Sequence, residues 1–205
     1  RGLSWRRGAR DLGLSPPPHR RLNHLMNDII GTAGAPYDPS RLATDTTPAI
    51  VALGSNLGDR EATIERAIER IVRVIGPCHA QSRLIETEAW IHPDDDADWH
   101  PPFLNGVAVF DTGLGAAAIL RHLLEIETSL GRERSADAKP WQPRPIDLDL
   151  IGVGAEVLDS PDLVLPHPRM HERRFVLEPL TSIMPDWHHP LLGKTARELL
   201  EALHE

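Results

Sequence analysis

A change of hydrophobic period between residues 49 and 75 constrains this chain most. Ala49-Ile50-Val51-Ala52-Leu53 is an unbroken apolar run, and Gly54-Ser55-Asn56 stops it. A short run closed by turn residues predicts a buried strand. The period then lengthens. Ile64, Ala67, Ile68, Ile71, Val72 and Ile75 recur at spacings of three and four, which is one face of a helix. Asp59 is placed to cap that helix and Gly76-Pro77 to end it. Further along, the pattern predicts strands over 79–87 and 104–112, a helix over 115–130 and a strand over 146–153. Residues 92–102 form a loop rich in Asp and Pro. Gly154-Ala155 predicts a hairpin into Glu156-Val157-Leu158, and the tail holds short helical pieces with a last helix near 195–203. The order strand, helix, strand, strand, helix, strand is the ferredoxin-like βαββαβ arrangement. The expected class is α+β, a mostly antiparallel sheet with helices packed on it.

The 205 residues suffice for one core. Residues 1–46 differ from the rest. They hold seven arginines, among them Arg6, Arg7, Arg20 and Arg21, and a Pro16-Pro17-Pro18 run without sustained periodicity. We read them as a disordered or non-native extension preceding a folded unit over 47–205. The first residue is Arg1 and the first methionine is Met26. An over-extended gene start or a fragment of a longer chain fits that better than an arginine-rich targeting peptide. Cys78 is the single cysteine, so neither an intrachain disulfide nor a cysteine zinc cluster can form, and a reducing, cytoplasmic setting fits.

The strongest local chemistry is Pro143-Arg144-Pro145-Ile146-Asp147-Leu148-Asp149-Leu150. Side chains alternate along a strand, so Asp147 and Asp149 share a face while Ile146, Leu148 and Leu150 take the other. Adjacent carboxylates repel unless a cation lies between them. Magnesium favours a few carboxylates completed by waters and substrate phosphates. A solvated outer strand face is the other reading of the pair, and both stay open on spacing alone. Arginines bracket it: Arg132 and Arg134 in Gly131-Arg132-Glu133-Arg134, then Arg144, then Arg169, Arg173 and Arg174 among His167 and His171. Guanidinium groups grip phosphate oxygens through two parallel bonds. Cations around a carboxylate pair are what phosphoryl transfer requires.

Glu127 falls in phase with Leu120, Leu123 and Leu124 on its helix. An unpaired carboxylate there would be costly. It pairs with an arginine, reaches a ligand, or turns to solvent at the helix end. Aromatics are 4% of the chain, so Phe103, Trp141 and Phe175 near these motifs are candidates to stack on a flat heterocycle, with core packing as the alternative for each. The Asp94-Asp95-Asp96 run with Asp98 reads as a solvated loop. The formal net charge of −8 argues against nucleic acid or an acidic membrane surface as partner. The glycine-rich Walker motif and the protein-kinase catalytic set are both absent from the sequence.

These motifs together resemble the 6-hydroxymethyl-7,8-dihydropterin pyrophosphokinase family of folate biosynthesis. The resemblance spans roughly residues 48–203. It rests on Ala52-Leu53-Gly54-Ser55-Asn56-Leu57-Gly58-Asp59, Phe103-Leu104-Asn105, Ile126-Glu127 with Leu130-Gly131-Arg132-Glu133-Arg134, and Trp141-Gln142-Pro143-Arg144 running into the Asp pair. Pro166-His167-Pro168-Arg169-Met170, with Arg173 and Phe175-Val176-Leu177-Glu178-Pro179-Leu180, completes it. The resemblance implies an ATP- and magnesium-dependent diphosphotransferase that moves pyrophosphate from ATP to the pterin hydroxymethyl group and releases AMP. It implies two magnesium ions on Asp147 and Asp149, and stabilisation of the transferring group by Arg132 and Arg144. It assigns Arg134, Trp141, His167 and Arg173 to ATP, with Glu127 a weaker contact. It assigns Phe103 and Phe175 to the pterin faces, and Asn105 and the backbone near Thr87 to the pterin's polar edge. The loops over 87–102 and 133–141 are expected to close over ATP. Association or fusion with other folate enzymes is expected. Two departures stand out. Glu88-Ala89-Trp90 replaces a proline- or glycine-bearing turn, and 135–140 differs in length and charge from some members. A non-catalytic binding module on the same scaffold, for RNA as one example, and a different magnesium-dependent phosphoryl or nucleotidyl transferase are the rival classes. Release of AMP rather than ADP separates the last from pyrophosphoryl transfer.

Overall fold

A computed structural model of the protein describes residues 33–89, 100–133 and 142–203. Strand β1 (Thr47–Ser55) lies at the centre of an antiparallel sheet, between β4 (Phe103–Thr112) and β5 (Asp147–Val153). The short strands β2 (Cys78–Gln81) and β3 (Ile85–Thr87) both pair with the far side of β4. The order is β2-β4-β1-β5, with β3 continuing the row of β2. Counted as one interrupted strand, β2 and β3 complete the ferredoxin-like arrangement.

Helices cover both faces of the sheet. On one side α1 (Arg60–Val74) and α2 (Ala116–Ser129) bury Ile64, Ile68, Ile71, Ile119 and Leu123 against Val51, Leu53, Leu148 and Leu150. On the other, α3 (Arg174–Ile183) and α4 (Ala196–Ala202) bury Val176, Leu177, Leu180 and Leu199 against Ile50, Ala52, Val109 and Ile151. This explains the continuous apolar run from Ala49 to Leu53. Both faces of β1 are covered, so neither parity of its residues can be polar. Full burial of an isoleucine is worth about 2 kcal/mol of transfer free energy, so the three buried isoleucines of α1, Ile64, Ile68 and Ile71, anchor it firmly to the sheet. Asp59 caps α1 by accepting the Ala62 N–H at 3.2 Å.

Two expectations are corrected. The strand over 79–87 is interrupted at Ser82. Its hydroxyl accepts the Val107 N–H at 3.0 Å and donates to the Arg83 carbonyl at 2.9 Å, taking a place in the ladder that a backbone carbonyl would fill. The hairpin after Gly154 does not fold back on β5. Instead β6 (Leu158–Asp159) pairs with β7 (Val164–Leu165), because Ser160 closes a turn onto Leu163 through its backbone N–H and hydroxyl. Ahead of β1, the Gly34 N–H donates to Gln81 O at 2.7 Å and the Tyr37 N–H to Ile183 O at 2.8 Å. Tyr37 lies against His79, with ring centroids 4.5 Å apart.

The register places the chemistry. Gly54 of β1 lies opposite Asn105 of β4 and Asp147 of β5, and Ala52 lies opposite Asp149. One row across the sheet therefore carries Asn105, Gly54 and Asp147, about 10 Å from end to end at ordinary strand spacing.

Candidate active site

The Asp147–Asp149 pair sits where β5 begins. Leu148 and Leu150 are buried in the α1–α2 layer, while both carboxylates are part-exposed on the opposite face, toward the start of α3. Three guanidinium groups converge on them. Arg132, just past α2, bonds both Asp147 and Glu127 through one terminal nitrogen. Arg144 reaches Asp147 at 3.5 Å. Arg173, the residue preceding α3, donates to Asp149 at 3.2 Å. Three carboxylates thus face three cations, so an acidic chain gathers arginines at one place on its surface.

Glu127 is 1% exposed and sits in the core-facing phase of α2. Its Oε1 also accepts the Leu148 N–H at 2.8 Å. The open question about this residue is thereby settled toward pairing with an arginine. It ties α2, Arg132 and β5 into one unit. Burial works against the charge on Arg132, but the Asp147 and Glu127 carboxylates more than offset it and hold its pKa above the ordinary arginine value.

Along the same row, Asn105 is buried and donates to the Thr87 hydroxyl at 2.8 Å. Its Oδ1 would lie 3.0 Å from a Cβ built on Gly54, with Phe103 at 3.6 Å and the Asp147 Cβ at 3.7 Å. Glycine at position 54 is what lets these three groups meet over the strand. The Arg144 guanidinium lies over the Phe103 ring at 5.7 Å, and Arg173 over Phe175 at 5.6 Å. Each aromatic is therefore joined to an arginine of the carboxylate cluster. Phe175 is 37% exposed, so core packing does not account for it. The Arg144 Nε is buried without a hydrogen-bond partner among the described residues.

His167 is fixed by its backbone N–H to Ile151 O at 2.9 Å, and its Nδ1 accepts the Arg169 N–H at 3.2 Å. Desolvation lowers its pKa. Asp149 works against that shift, and Arg173 and Arg169 add to it, so the ring sits in the field of the cluster. Arg134 and Trp141 lie outside the described residues, as does most of each loop expected to close over ATP. The Gly54-Ser55-Asn56 turn is what the motif reading missed. Ser55 and Asn56 are buried; Ser55 donates to Pro145 O at 2.7 Å, and Asn56 holds Arg144 and Pro101. The sequence marks these residues as a strand stop and as part of the family motif, with no role attached. A groove of about 690 Å³ between α2 and the β6–β7 hairpin contains none of these residues.

The donor set suits magnesium. It is two oxygen carboxylates on one strand face, part-open to solvent, and no group of three or more His, Cys, Asp or Glu that could form an all-protein cage occurs among the described residues.

Comparison with known proteins identifies the family and supports the fold. The family profile described as 7,8-dihydro-6-hydroxymethylpterin-pyrophosphokinase matches residues 50–185. A 2-amino-4-hydroxy-6-hydroxymethyldihydropteridine pyrophosphokinase of Methylorubrum extorquens is 40% identical over 163 residues, covering 77% of this chain and 94% of the relative. The enzyme of that name from Synechocystis is 35% identical over 170 residues, covering 82% of each. Among solved structures, a Plasmodium falciparum HPPK-DHPS triple mutant with SDX-DHP superposes with a TM-score of 0.59 at 16% identity. The match covers 80% of this chain and 45% of that one, and it supports the fold.

Proposed function

The chain belongs to the 7,8-dihydro-6-hydroxymethylpterin-pyrophosphokinase family, and from that premise we propose how its site carries out ATP- and magnesium-dependent pyrophosphoryl transfer. The hydroxymethyl oxygen of the dihydropterin attacks the β-phosphorus of ATP. The bond between that phosphorus and the α,β-bridging oxygen breaks, and AMP leaves. The hydroxyl loses its proton, and the pterin gains a diphosphate ester.

Asp147 and Asp149 would hold two magnesium ions, which when bound neutralise triphosphate charge and draw the phosphates into line. The chain's own residues do the rest by position. Arg132 and Arg144 face the carboxylate pair and supply cation to the oxygens that gain charge as the group moves. Each reaches the pair through one terminal nitrogen of a five-donor fork. Arg173 and His167 line the α3 side for the remaining phosphates and nucleoside, with Arg134 and Trp141 assigned there by the motif. Phe103 and Phe175 flank the pterin ring, each under an arginine. Asn105, steadied by Thr87, offers an amide to the ring's polar edge. Glu127 acts through Arg132. Little covalent work is asked of the protein, so positioning carries the catalysis.

The observation that carries this reading is the row Asn105–Gly54–Asp147, which sets a heterocycle reader and a carboxylate pair on one sheet face about two strand spacings, or roughly 10 Å, apart. The Plasmodium chain named HPPK-DHPS extends well beyond the matched region, which supports fusion or association with a further folate enzyme. The test is incubation with ATP, magnesium and hydroxymethyldihydropterin, with products read by mass spectrometry. AMP and the pterin diphosphate are expected; ADP overturns the proposal. Asp147→Ala and Asp149→Ala should each abolish AMP formation with unchanged circular dichroism, and near-normal activity in either refutes the metal assignment.

A further inference from the structure

We infer that Asn56 is a positioning residue that locks the phosphate-side loop to the pterin-side strand. The inference rests on the assignment of Arg144 and Phe103 to the two substrates. Asn56 is 2% exposed, and its polar atoms make three separate bonds. The side-chain Oδ1 accepts the Arg144 N–H at 2.7 Å, and the backbone N–H donates to Arg144 O at 3.2 Å. The side-chain Nδ2 donates to Pro101 O at 3.1 Å.

The prolines make these bonds decisive. Arg144 lies between Pro143 and Pro145, which have no N–H, so its own N–H is the single backbone donor of that tripeptide. Asn56 takes it. On the other arm Pro101-Pro102 leads directly into Phe103 and cannot donate to a ladder. Its carbonyls accept side-chain donors instead: Asn56 at Pro101, and Arg60 at Pro102 at 2.7 Å. Arg60 also pairs with Glu86, beside Thr87. One buried amide thus sets the backbone of Arg144 and of the approach to Phe103 together, and the two side chains meet as guanidinium over ring. Asn56 touches neither substrate; it fixes the distance between the groups that do.

The experiment uses the full chain and three variants. Asn56→Asp keeps an acceptor for the Arg144 N–H but turns an oxygen toward Pro101 O. Asn56→Ala removes both arms. Arg60→Ala leaves Asn56 intact and removes the bond to Pro102 O together with the pair to Glu86, and Arg60 is part-exposed on the first turn of α1. For Asn56→Asp and Arg60→Ala the expected result is a pterin KM raised about tenfold with kcat within about threefold, the scale of one lost hydrogen bond. For Asn56→Ala, kcat itself falls about 10- to 100-fold, as for an ångström-scale misplacement. Wild-type KM and kcat in Asn56→Ala overturn the inference. So does identical behaviour of the Asp and Ala variants in step with their melting temperatures, which marks a merely structural residue. If Asn56→Ala fails to fold, unchanged pterin KM in both other variants overturns it. Absence of AMP release from the wild type would overturn the proposed function, and the inference with it.

Discussion

Replacing Glu127 by Gln separates two roles that one buried carboxylate could have. The substitution is nearly isosteric and keeps an acceptor for the Leu148 N–H, 2.8 Å away. What it removes is the charge beside Arg132, whose side chain is 14% exposed. Breaking a buried ion pair costs about 3–5 kcal/mol when the surviving charge is left alone. Here Arg132 keeps Asp147, so the loss is nearer that of one charge-assisted bond, about 2 kcal/mol. For a chain of this length that lowers Tm by about 4–8 °C.

The kinetic signature follows from the same contacts. Without Glu127 the Arg132 guanidinium is drawn wholly to Asp147 and away from its set position. The expected result is kcat down about tenfold with the ATP KM within about twofold, the pattern of an interaction made in the transition state. A direct ATP contact predicts the reverse, a raised ATP KM with kcat unchanged. Calorimetry and steady-state kinetics at saturating pterin decide. A Tm within about 1 °C of wild type, or a raised ATP KM at constant kcat, refutes the reasoning, since a shift under ~0.5 kcal/mol is what an unpaired surface residue gives.

Stability should fall as pH drops from 7.5 to 5.5. Burial lowers the pKa of His167, and burial and the neighbouring His171 lower that of His189. The folded state therefore resists protons that the unfolded chain accepts below about 6.5. The loss begins as pH falls through the unfolded value and levels off below the folded one. His189→Asn, which keeps an acceptor for the Leu191 and Leu192 N–H groups, should flatten the slope of Tm against pH; an unchanged slope would discount His189. Cys78 is buried, and burial together with Asp111 pushes its thiol up to about 12. The native protein should leave it unmodified by a disulfide reagent at pH 8 and the denatured protein should react fully, so rapid native labelling would contradict the burial.

The fold was legible because its signals are local. Ile64 to Ile75 show one helix face, Ala49 to Leu53 a strand covered on both sides, and Asp147 with Leu148 the parity of β5. What failed to show were competitions settled by side chains a few residues away. The Ser82 hydroxyl takes a rung in the ladder and cuts one strand in two, and Ser160 turns β6 toward β7.

The site divides in the same way. The carboxylate pair and its arginines could be read because residue type and spacing carry their chemistry. The roles of Gly54, Ser55 and Asn56 could not, although the family motif contains them, because a turn signal describes only what the chain does at that point. Their partners are Asn105, Pro145, Arg144 and Pro101, as far as 90 residues away. Those contacts exist only because β4 and β5 flank β1 with Gly54 in one row between Asn105 and Asp147. A residue whose role is to hold two loops together has no signature of its own. It becomes visible when both loops are in place, and a motif can contain such a residue without showing what it does.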